Sequence, residues 1–343
     1  MSTLKDTLFR PLYLLYHAKQ TNWSEVRRWA LWVSATHGIS RLRQVSLVMY
    51  DVLRYNISIA EFYQLRFYAR SNADKATWAG TGTMYEYHLR MNPAPHRIDL
   101  ADKVRFHQVY KPFVRHAHAS FAEIRDNPEK AEQLLRGGTK VVLKSTVGQC
   151  GWGIVIEPTQ SHSASTLLDR LTETKNDLVE HFVEQHPVLA TMSDAGLNTV
   201  RVITQINRMG DVDLLGARLR LTVDQPIDNL AAGNIACRID LKTGTLIGPA
   251  VYSDPTKPPV DAHPVTGVML HGQSIPYWEE TLQLCRDAAL HNPANRSVGW
   301  DVAITKDGPS LIEGNHDWCK LLWQLPENTG MKPILDAYVR GER

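Results

Sequence analysis

The fold of this chain is best read from residues 298–315, VGWDVAITKDGPSLIEGN. Two apolar runs, 298–305 and 310–314, flank a Lys-Asp-Gly turn followed by a proline, which is typical of a β-hairpin. The turn predicts a three-residue loop over 306–308, with Gly308 in the left-handed conformation. The proline, which has no N–H to donate, suits the start of the second strand.

This hairpin would bring three oxygen-bearing side chains together. Centring the turn on Asp307 places Asp301 directly opposite Glu313, about 5 Å apart at Cβ, and Asn315 shares a face with Glu313. Such ligands suit Mg²⁺, which often also binds nucleotide phosphates. Gly299 and Gly314 lie close to these side chains in the sequence. Because glycine has no side chain, they would leave room for a ligand. A solvated sheet face carrying unrelated polar groups would give the same pattern.

A second feature is a lysine before a glycine-rich loop. Residues 140–146 predict a strand that carries Lys144, and the loop that follows contains Gly148, Gly151 and Gly153. An ammonium group beside exposed backbone N–H groups can bind phosphates. The segment is not a P-loop, because the lysine precedes the glycines. An ordinary flexible hairpin is the alternative.

Two glutamates border the next predicted strand, residues 178–183. Either Glu180 or Glu184 could accept hydrogen bonds from adenine or ribose, although glutamates on a plain surface would look the same. Further along, four arginines fall inside predicted strands: Arg201, Arg218, Arg220 and Arg238. A guanidinium group matches phosphate or carboxylate in a bidentate manner. Cross-strand ion pairs are the alternative for these arginines.

The order of elements indicates an α+β protein. The first hundred residues have helical spacing, as over 42–55 and 59–68, and many arginines. These arginines either lie on solvated helix faces or form a docking surface for an anionic partner or membrane headgroups. From residue 140 onward, runs of strands are separated by single helices, predicted over 165–175 and 276–291, which favours α+β layers.

Composition limits the remaining classes. The chain has 343 residues, 43% of them hydrophobic, and a formal charge of +2, so it is long enough for two domains and does not resemble a nucleic-acid-binding protein. Its 4 cysteines are far apart, which argues against disulfides or structural zinc and favours a cytoplasmic location. No secretory signal and no transmembrane segment of about 20 apolar residues is expected.

Taken in this order, the segments resemble the sugar-transfer-associated ATP-grasp family over roughly residues 100–324. The stretches that carry the resemblance are 102–103 (DK), the Lys144 strand and its loop, 178–183 (LVEHFV), 198–202 (NTVRV), 228–233 (DNLAAG), 239–244 (IDLKTG), 263–267 (HPVTG), 299–301 (GWD) and 313–315 (EGN). The loop departs from the family pattern at Trp152, which could narrow the site or form a substrate wall.

The resemblance implies an α+β ATP-grasp fold, in which two lobes clamp ATP. It divides the chain into a mainly helical N-terminal region, residues 1–105, a small lobe with a glycine-rich lid, residues 106–187, and a large lobe with the metal site, residues 188–343.

The resemblance also implies roles for individual residues. ATP phosphates would be contacted by Lys103 and Lys144, with the lid glycines Gly148, Gly151 and Gly153 above them. Adenine would be contacted by Glu180 and, less securely, ribose by Glu184. Magnesium would be held by Asp301, Glu313 and Asn315, and the γ-phosphate or acyl phosphate would face Arg201. His316 is the preferred base for the incoming amine, with His263 and His271 as alternatives; each could instead be structural.

The implied activity is an ATP- and Mg²⁺-dependent ligation of a carboxylate to an amine through an acyl phosphate. The substrates would be small molecules, possible examples being a sugar acid or another metabolite of a glycan or secondary-metabolite pathway. One alternative is a kinase that phosphorylates a hydroxyl, and another is a non-catalytic nucleotide-binding partner in a polysaccharide-making assembly. A glycan-pathway partner could dock on the basic N-terminal helices.

Overall fold

The structure is a computed structural model that describes residues 16, 18–146, 153–224 and 229–343. The lid glycines Gly148 and Gly151, the departing Trp152, and Asp228 of one family motif lie outside the described residues. Among the described residues, no helix is both long and apolar enough to cross a membrane.

The described helices are α1 (Trp23–His37), α2 (Arg41–Tyr55), α3 (Ile59–Gln64), α4 (Asn72–Lys75), α5 (Thr81–Met91), α6 (Ala94–Ala101), α7 (Lys103–Val109), α8 (Phe121–Asp126), α9 (Pro128–Gly137), α10 (Ala164–Thr174), α11 (Pro187–Met192), α12 (Trp278–His291), α13 (Lys320–Gln324) and α14 (Lys332–Arg340). The described strands are β1 (His118–Ser120), β2 (Lys140–Lys144), β3 (Val155–Pro158), β4 (Leu178–His181), β5 (Thr199–Ile206), β6 (Val212–Leu221), β7 (Ile235–Ile239), β8 (Leu246–Val251), β9 (Ser297–Thr305) and β10 (Gly308–Asn315).

The N-terminal region is helical, as its spacing predicts. The side chain of Ser40 accepts a hydrogen bond from the backbone of α2, and Ser58 and Glu61 form a capping box at the start of α3. Such caps satisfy backbone N–H groups that a helix leaves without partners. The apolar faces of α1 to α3 share one core, in which Val33 and Phe62 are fully buried.

The small sheet has the strand order β1-β4-β2-β3 and is antiparallel throughout. Helices α8, α9 and α10 pack on it around Ile124, Val141, Leu171 and Val179. Strand β1 and helices α8 and α9 are absent from the sequence-based prediction, since β1 has only three residues and no periodicity to detect. Strands β2 and β4 end at Lys144 and His181, two residues before their predicted ends.

The large sheet has the strand order β10-β9-β5-β6-β7-β8 and is also antiparallel. Alternation along its strands gives it two distinct faces. One face places Val200, Val202, Trp300 and Val302 in the main core, against apolar residues of α12. Residues between these positions, such as Arg201 and Asp301, therefore point to the opposite face.

The hairpin of β9 and β10 differs from its prediction in one respect. Gly308 pairs with Thr305, so the loop has two residues and the predicted three-residue loop is wrong, although Gly308 does have a positive φ of 109°. A β-bulge between Leu311 and Glu313 then adds one residue to β10. The bulge restores the predicted pairing of Asp301 with Glu313.

The N-terminal region is attached to the segment that follows β10. Glu61 is 2% exposed at its side chain and lies 2.7 Å from the ammonium group of Lys320. The same carboxylate accepts hydrogen bonds from the backbone and hydroxyl of Thr81. Gln324 adds a second attachment by bonding both backbone groups of Ala79. The helical region therefore braces α13.

This brace can be tested with Glu61→Ala. Because the change leaves Lys320 without its carboxylate, we expect the free energy of unfolding to fall by about 3 kcal/mol. The exposed Arg28–Asp254 pair, with Arg28 52% exposed, supplies the control, since Arg28→Ala should cost below about 1 kcal/mol. Urea unfolding measures both variants. Equal losses would show that Glu61 does not brace the region.

Candidate active site

A row of charged side chains crosses the large sheet. Glu313 on β10 lies opposite Asp301 on β9, and Asp301 lies opposite Arg201 on β5. Arg201 in turn lies opposite Arg218 on β6, and Arg218 opposite Arg238 on β7. Residues directly opposite each other point to the same face, so the row forms one polar surface that runs from acidic to basic.

The centre of the row is a buried cluster around Asp301. Arg201 donates to both carboxylate oxygens, with 2.9 Å between Nη2 and Oδ2. Arg220 approaches the same Oδ2 at 2.7 Å. Burial alone would raise the pKa of Asp301, but the two guanidinium groups outweigh it and lower the pKa to about 2. Asp301 is therefore an anion that two arginines stabilise.

Glu313 lies beside this cluster in a different electrostatic environment. Burial, and then the negative charge of Asp301, raise the pKa of Glu313. The Asn315 amide nitrogen donates to Glu313 Oε1 at 3.3 Å and to the carbonyl of Gly299. Carboxylate and amide oxygens are the ligands that Mg²⁺ prefers, and a cation would offset the repulsion between the two carboxylates. The donor set thus fits Mg²⁺, although Asp301 could bind it only by releasing an arginine.

The two glycines next to these ligands serve packing. A Cβ at Gly299 would lie 2.6 Å from Cβ of Trp318 and 3.1 Å from Cδ of Arg201. A Cβ at Gly314 would lie 2.8 Å from Leu100. The expectation that both glycines leave room for a ligand is therefore wrong, because protein side chains occupy that space.

The basic end of the row is also paired. Glu327, in the turn after α13, lies 2.9 Å from Arg218 and 2.8 Å from Arg238. Arg218 is almost fully buried and also donates to the carbonyl of Trp323. Arg201 and Arg220 thus pair across strands with Asp301, as the ion-pair alternative predicts, whereas Arg218 and Arg238 pair with a carboxylate outside the strands. Glu327 carries no sequence signal, because nothing in its turn indicates which strand it meets.

The small lobe holds a second buried carboxylate, Glu180. The Lys144 ammonium group lies 2.6 Å from its Oε2, and Nε2 of His107 donates to Oε1 at 2.6 Å. Burial would raise the pKa of Glu180, but Lys144 and the neighbouring histidines hold the pKa well below its usual value. Both oxygens thus have protein partners, and the contact of Glu180 with adenine stays a prediction.

Lys103 connects the two carboxylate clusters. It begins α7, and its backbone N–H donates to the carbonyl of Thr146 at 3.2 Å. Burial lowers the pKa of its ammonium group, while the negative charges of Glu313 and Glu180 act in the opposite direction and Lys144 adds to the lowering. Carboxylates of both clusters therefore influence the charge of Lys103, and its contact with ATP phosphates stays a prediction.

Three histidines around Glu180 were not recognised from the sequence. His116 Nε2 lies 3.4 Å from Glu180 Oε2, and the rings of His107 and His118 stack with centroids 3.9 Å apart. Burial lowers the pKa of His118 to about 4. The pairing of β1 with β4 places His118 opposite Glu180. Because β1 was not predicted, this contact could not be predicted either.

The three histidines proposed as bases differ in their surroundings. His316 is half-buried, and burial lowers its pKa, which keeps the ring neutral and able to accept a proton. His263 is buried, with both ring nitrogens bonded to backbone groups of Thr222 and Thr266. His271 Nδ1 accepts a bond from the Gly248 N–H. The hydrogen bonds of His263 and His271 are thus consistent with the alternative that these two histidines have structural roles.

Two further predicted residues border the nucleotide region. Glu184 is exposed and lies beyond the end of β4, so its contact with ribose stays a prediction. Gly153, the described lid glycine, has a φ of 77°, and its carbonyl accepts a hydrogen bond from Asn176 at 3.0 Å. The positive φ explains the preference for glycine at this end of the loop.

Comparison with known families identifies the chain. The model of the sugar-transfer associated ATP-grasp family matches residues 83–339, which is most of the chain. The chain belongs to this family. Its two antiparallel sheets are accordingly those of the two lobes of an ATP-grasp fold, preceded by helices, as the sequence predicts. No curated protein matches the chain.

Solved structures similar to this ATP-grasp protein include a biotin carboxylase from Campylobacter jejuni, with 12% identity and a TM-score of 0.45 over 71% of this chain and 46% of that one. An L-amino acid ligase from Bacillus licheniformis has 12% identity and a TM-score of 0.41, covering 71% and 48%. D-alanyl-alanine synthetase A from Vibrio cholerae has 12% identity and a TM-score of 0.43, covering 71% and 65%. The match spans less than two thirds of each of these proteins.

The charge of Asp301 predicts a pH dependence of stability. Its pKa is about 2 in the folded protein against a usual 3.8, so the stability that it contributes is present above about pH 4 and is lost as the pH falls toward 2. The loss amounts to about 2 kcal/mol. The unmutated protein should therefore be more stable than Asp301→Asn at neutral pH. The difference between their free energies of unfolding should shrink by about 2 kcal/mol as the pH falls from about 4 toward 2.

Glu313 must be neutralised in this comparison, because its raised pKa acts in the opposite sense. Both proteins should therefore also carry Glu313→Gln, and denaturant unfolding between pH 6 and pH 2 measures the difference. A difference that stays constant across this range would show that the two arginines do not lower the pKa of Asp301.

Proposed function

We propose that this ATP-grasp protein is an ADP-forming ligase that joins a carboxylate to an amine through an acyl phosphate. The observation that carries the proposal is the face of the large sheet, where the Asp301–Glu313 pair adjoins Arg201 and Arg220, with Lys103 in reach of both lobes. Oxygen ligands beside guanidinium groups are what phosphoryl transfer from a nucleotide requires.

Each group then has a role in holding ATP and its metal. Lys103 and Lys144 would contact the phosphates, and Asp301, Glu313 and Asn315 would hold Mg²⁺. Asp301 would have to release one of its two arginines to do so. Bound magnesium would neutralise charge that develops on the transferred phosphoryl group. Glu180 keeps Lys144 in position before ATP binds, since their side chains are 2.6 Å apart.

The reaction has two steps. A carboxylate oxygen of the substrate attacks the γ-phosphorus, the bond to the β-phosphate oxygen breaks, and ADP leaves. The amine then attacks the acyl carbon, inorganic phosphate leaves, and the amine loses a proton to a base. Arg201 faces the phosphoryl group in both steps, where a guanidinium group can bind two oxygens. His316, which follows Asn315 in the chain, is the proposed base.

The substrates proposed are small molecules, with a sugar acid as the leading carboxylate because the family is associated with sugar transfer. A cytoplasmic location and a glycan-pathway partner at the N-terminal helices stay predictions. An ATP-grasp kinase remains the alternative, because the same phosphate contacts could serve transfer to a hydroxyl. The need for an amine distinguishes the two reactions.

The first test measures ADP release with Mg-ATP while carboxylates and amines are supplied separately and together. A ligase should release ADP in amounts that match the amide formed, and only when both are present. A phosphorylated product formed without any amine would instead establish the kinase. If Mg-ATP neither raises the melting temperature nor yields ADP with any pair, the proposal is wrong.

The metal ligands are tested with Glu313→Gln, which keeps the shape and removes the charge. Turnover should fall by about 100-fold or more, because an interaction made with the transferring phosphoryl group is lost. Glu279→Gln is the control, since Glu279 is an exposed residue in the first turn of α12, and it should retain full turnover. A Glu313→Gln enzyme as active as this control would exclude Glu313 from the site.

A further inference from the structure

A cluster of nitrogen and oxygen ligands lies in the small lobe. His107 comes from α7, His116 from the segment before β1, and Glu180 from β4. One ligand atom from each residue lies within 4.8 Å of the other two. Their side chains are 2%, 6% and 6% exposed. Three separate elements thus converge on one buried point.

The separations suit a tetrahedral metal centre. Bonds of about 2.0–2.1 Å to Zn²⁺ place neighbouring ligand atoms about 3.3 Å apart. The observed distances to the Glu180 carboxylate are 3.4 Å from His116 Nε2 and 2.6 Å from His107 Nε2. These two distances end on different oxygens of Glu180, Oε2 and Oε1, so a rearrangement of the side chains would complete three sides of a coordination shell on metal binding.

The second observation is that three of the four ring nitrogens of His107 and His116 have no hydrogen-bond partner among the described residues, while the fourth, His107 Nε2, bonds to Glu180 Oε1. Among the described residues, neither ring nitrogen of His116 has one, and Nδ1 of His107 has none either. Burying a polar atom without a hydrogen-bond partner destabilises the folded protein. A cation held between His116 Nε2 and the Glu180 carboxylate, which are 3.4 Å apart, would give that buried nitrogen a partner.

We propose that His107, His116 and Glu180 form a binding site for a transition-metal ion of the Zn²⁺ type, with the fourth position open. Two imidazoles and a carboxylate are a recurrent ligand set for zinc. The ammonium group of Lys144, 2.6 Å from Glu180 Oε2, neutralises the carboxylate in the absence of the ion. Metal binding displaces it, so the ion and the lysine compete for one carboxylate.

This site differs in chemistry from the set formed by Glu313 and Asn315. Imidazole nitrogens select Zn²⁺, Co²⁺ or Ni²⁺, whereas Mg²⁺ prefers oxygen. Excess Mg²⁺ should therefore occupy the large-lobe set and leave the histidine site available. The inference does not depend on the proposed ligase activity, because metal binding can be measured without nucleotide or substrate.

The test is equilibrium dialysis of the full chain with Zn²⁺ in excess Mg²⁺, followed by Co²⁺ titration, in which four-coordinate Co²⁺ shows visible absorption bands. We expect one Zn²⁺ per chain. His116→Ala should weaken binding by about 10–100-fold or more and abolish the bands. His96→Ala, which removes an exposed histidine of α6, is the matched control and should bind as the unmutated protein does.

A third variant tests the competition directly. Lys144→Met removes the ammonium group that Zn²⁺ would have to displace from Glu180. This variant should therefore bind Zn²⁺ more tightly than the unmutated protein does. Circular dichroism checks that each variant is folded. The site is disproved if the unmutated protein retains no Zn²⁺, or if His116→Ala binds as tightly as His96→Ala, which would indicate binding at scattered surface histidines.

Discussion

The large sheet depends on the buried ion pair between Arg201 and Asp301. Both residues lie on central strands, and they are 4% and 1% exposed. Because an uncompensated buried charge costs about 3–5 kcal/mol, a register shift of β5 against β9 would be strongly unfavourable. The pair therefore fixes the register of the strands, and that register places Glu313 and Arg218 in the same row.

The two lobes use the same electrostatic arrangement. Each contains a buried carboxylate, Asp301 in the large sheet and Glu180 in the small one, that basic side chains already neutralise. In the proposed reaction, an incoming phosphate would exchange places with a protein carboxylate, and the cations that receive it would already be oriented. Preorganised charge of this kind avoids the cost of reorganisation during reaction. The pKa of Lys103 is influenced by carboxylates of both lobes, so that exchange would change the charges around its ammonium group.

The sequence was most informative where contacts are local. Hairpin pairing put Asp301 opposite Glu313, although two errors cancelled there: the loop is one residue shorter than predicted, and a bulge that no periodicity reveals adds one back. Contacts between distant segments were not predictable. His107 on α7 and His116 just before β1 both reach Glu180 on β4, and Glu327 reaches Arg218 from a turn more than a hundred residues away.

The helical N-terminal region is best understood from what its charges contact. Arg28 pairs with Asp254 of the large lobe, and Arg70 pairs with Asp74 while lying 4.1 Å from the ring centre of Trp78. Both arginines therefore already have partners within the protein, and a docking role for the N-terminal helices stays a prediction. Because Glu61 holds Lys320, the region also fixes the far end of the segment that begins at Asn315. The helical region thus constrains the segment that follows Asn315 and carries His316, the proposed base.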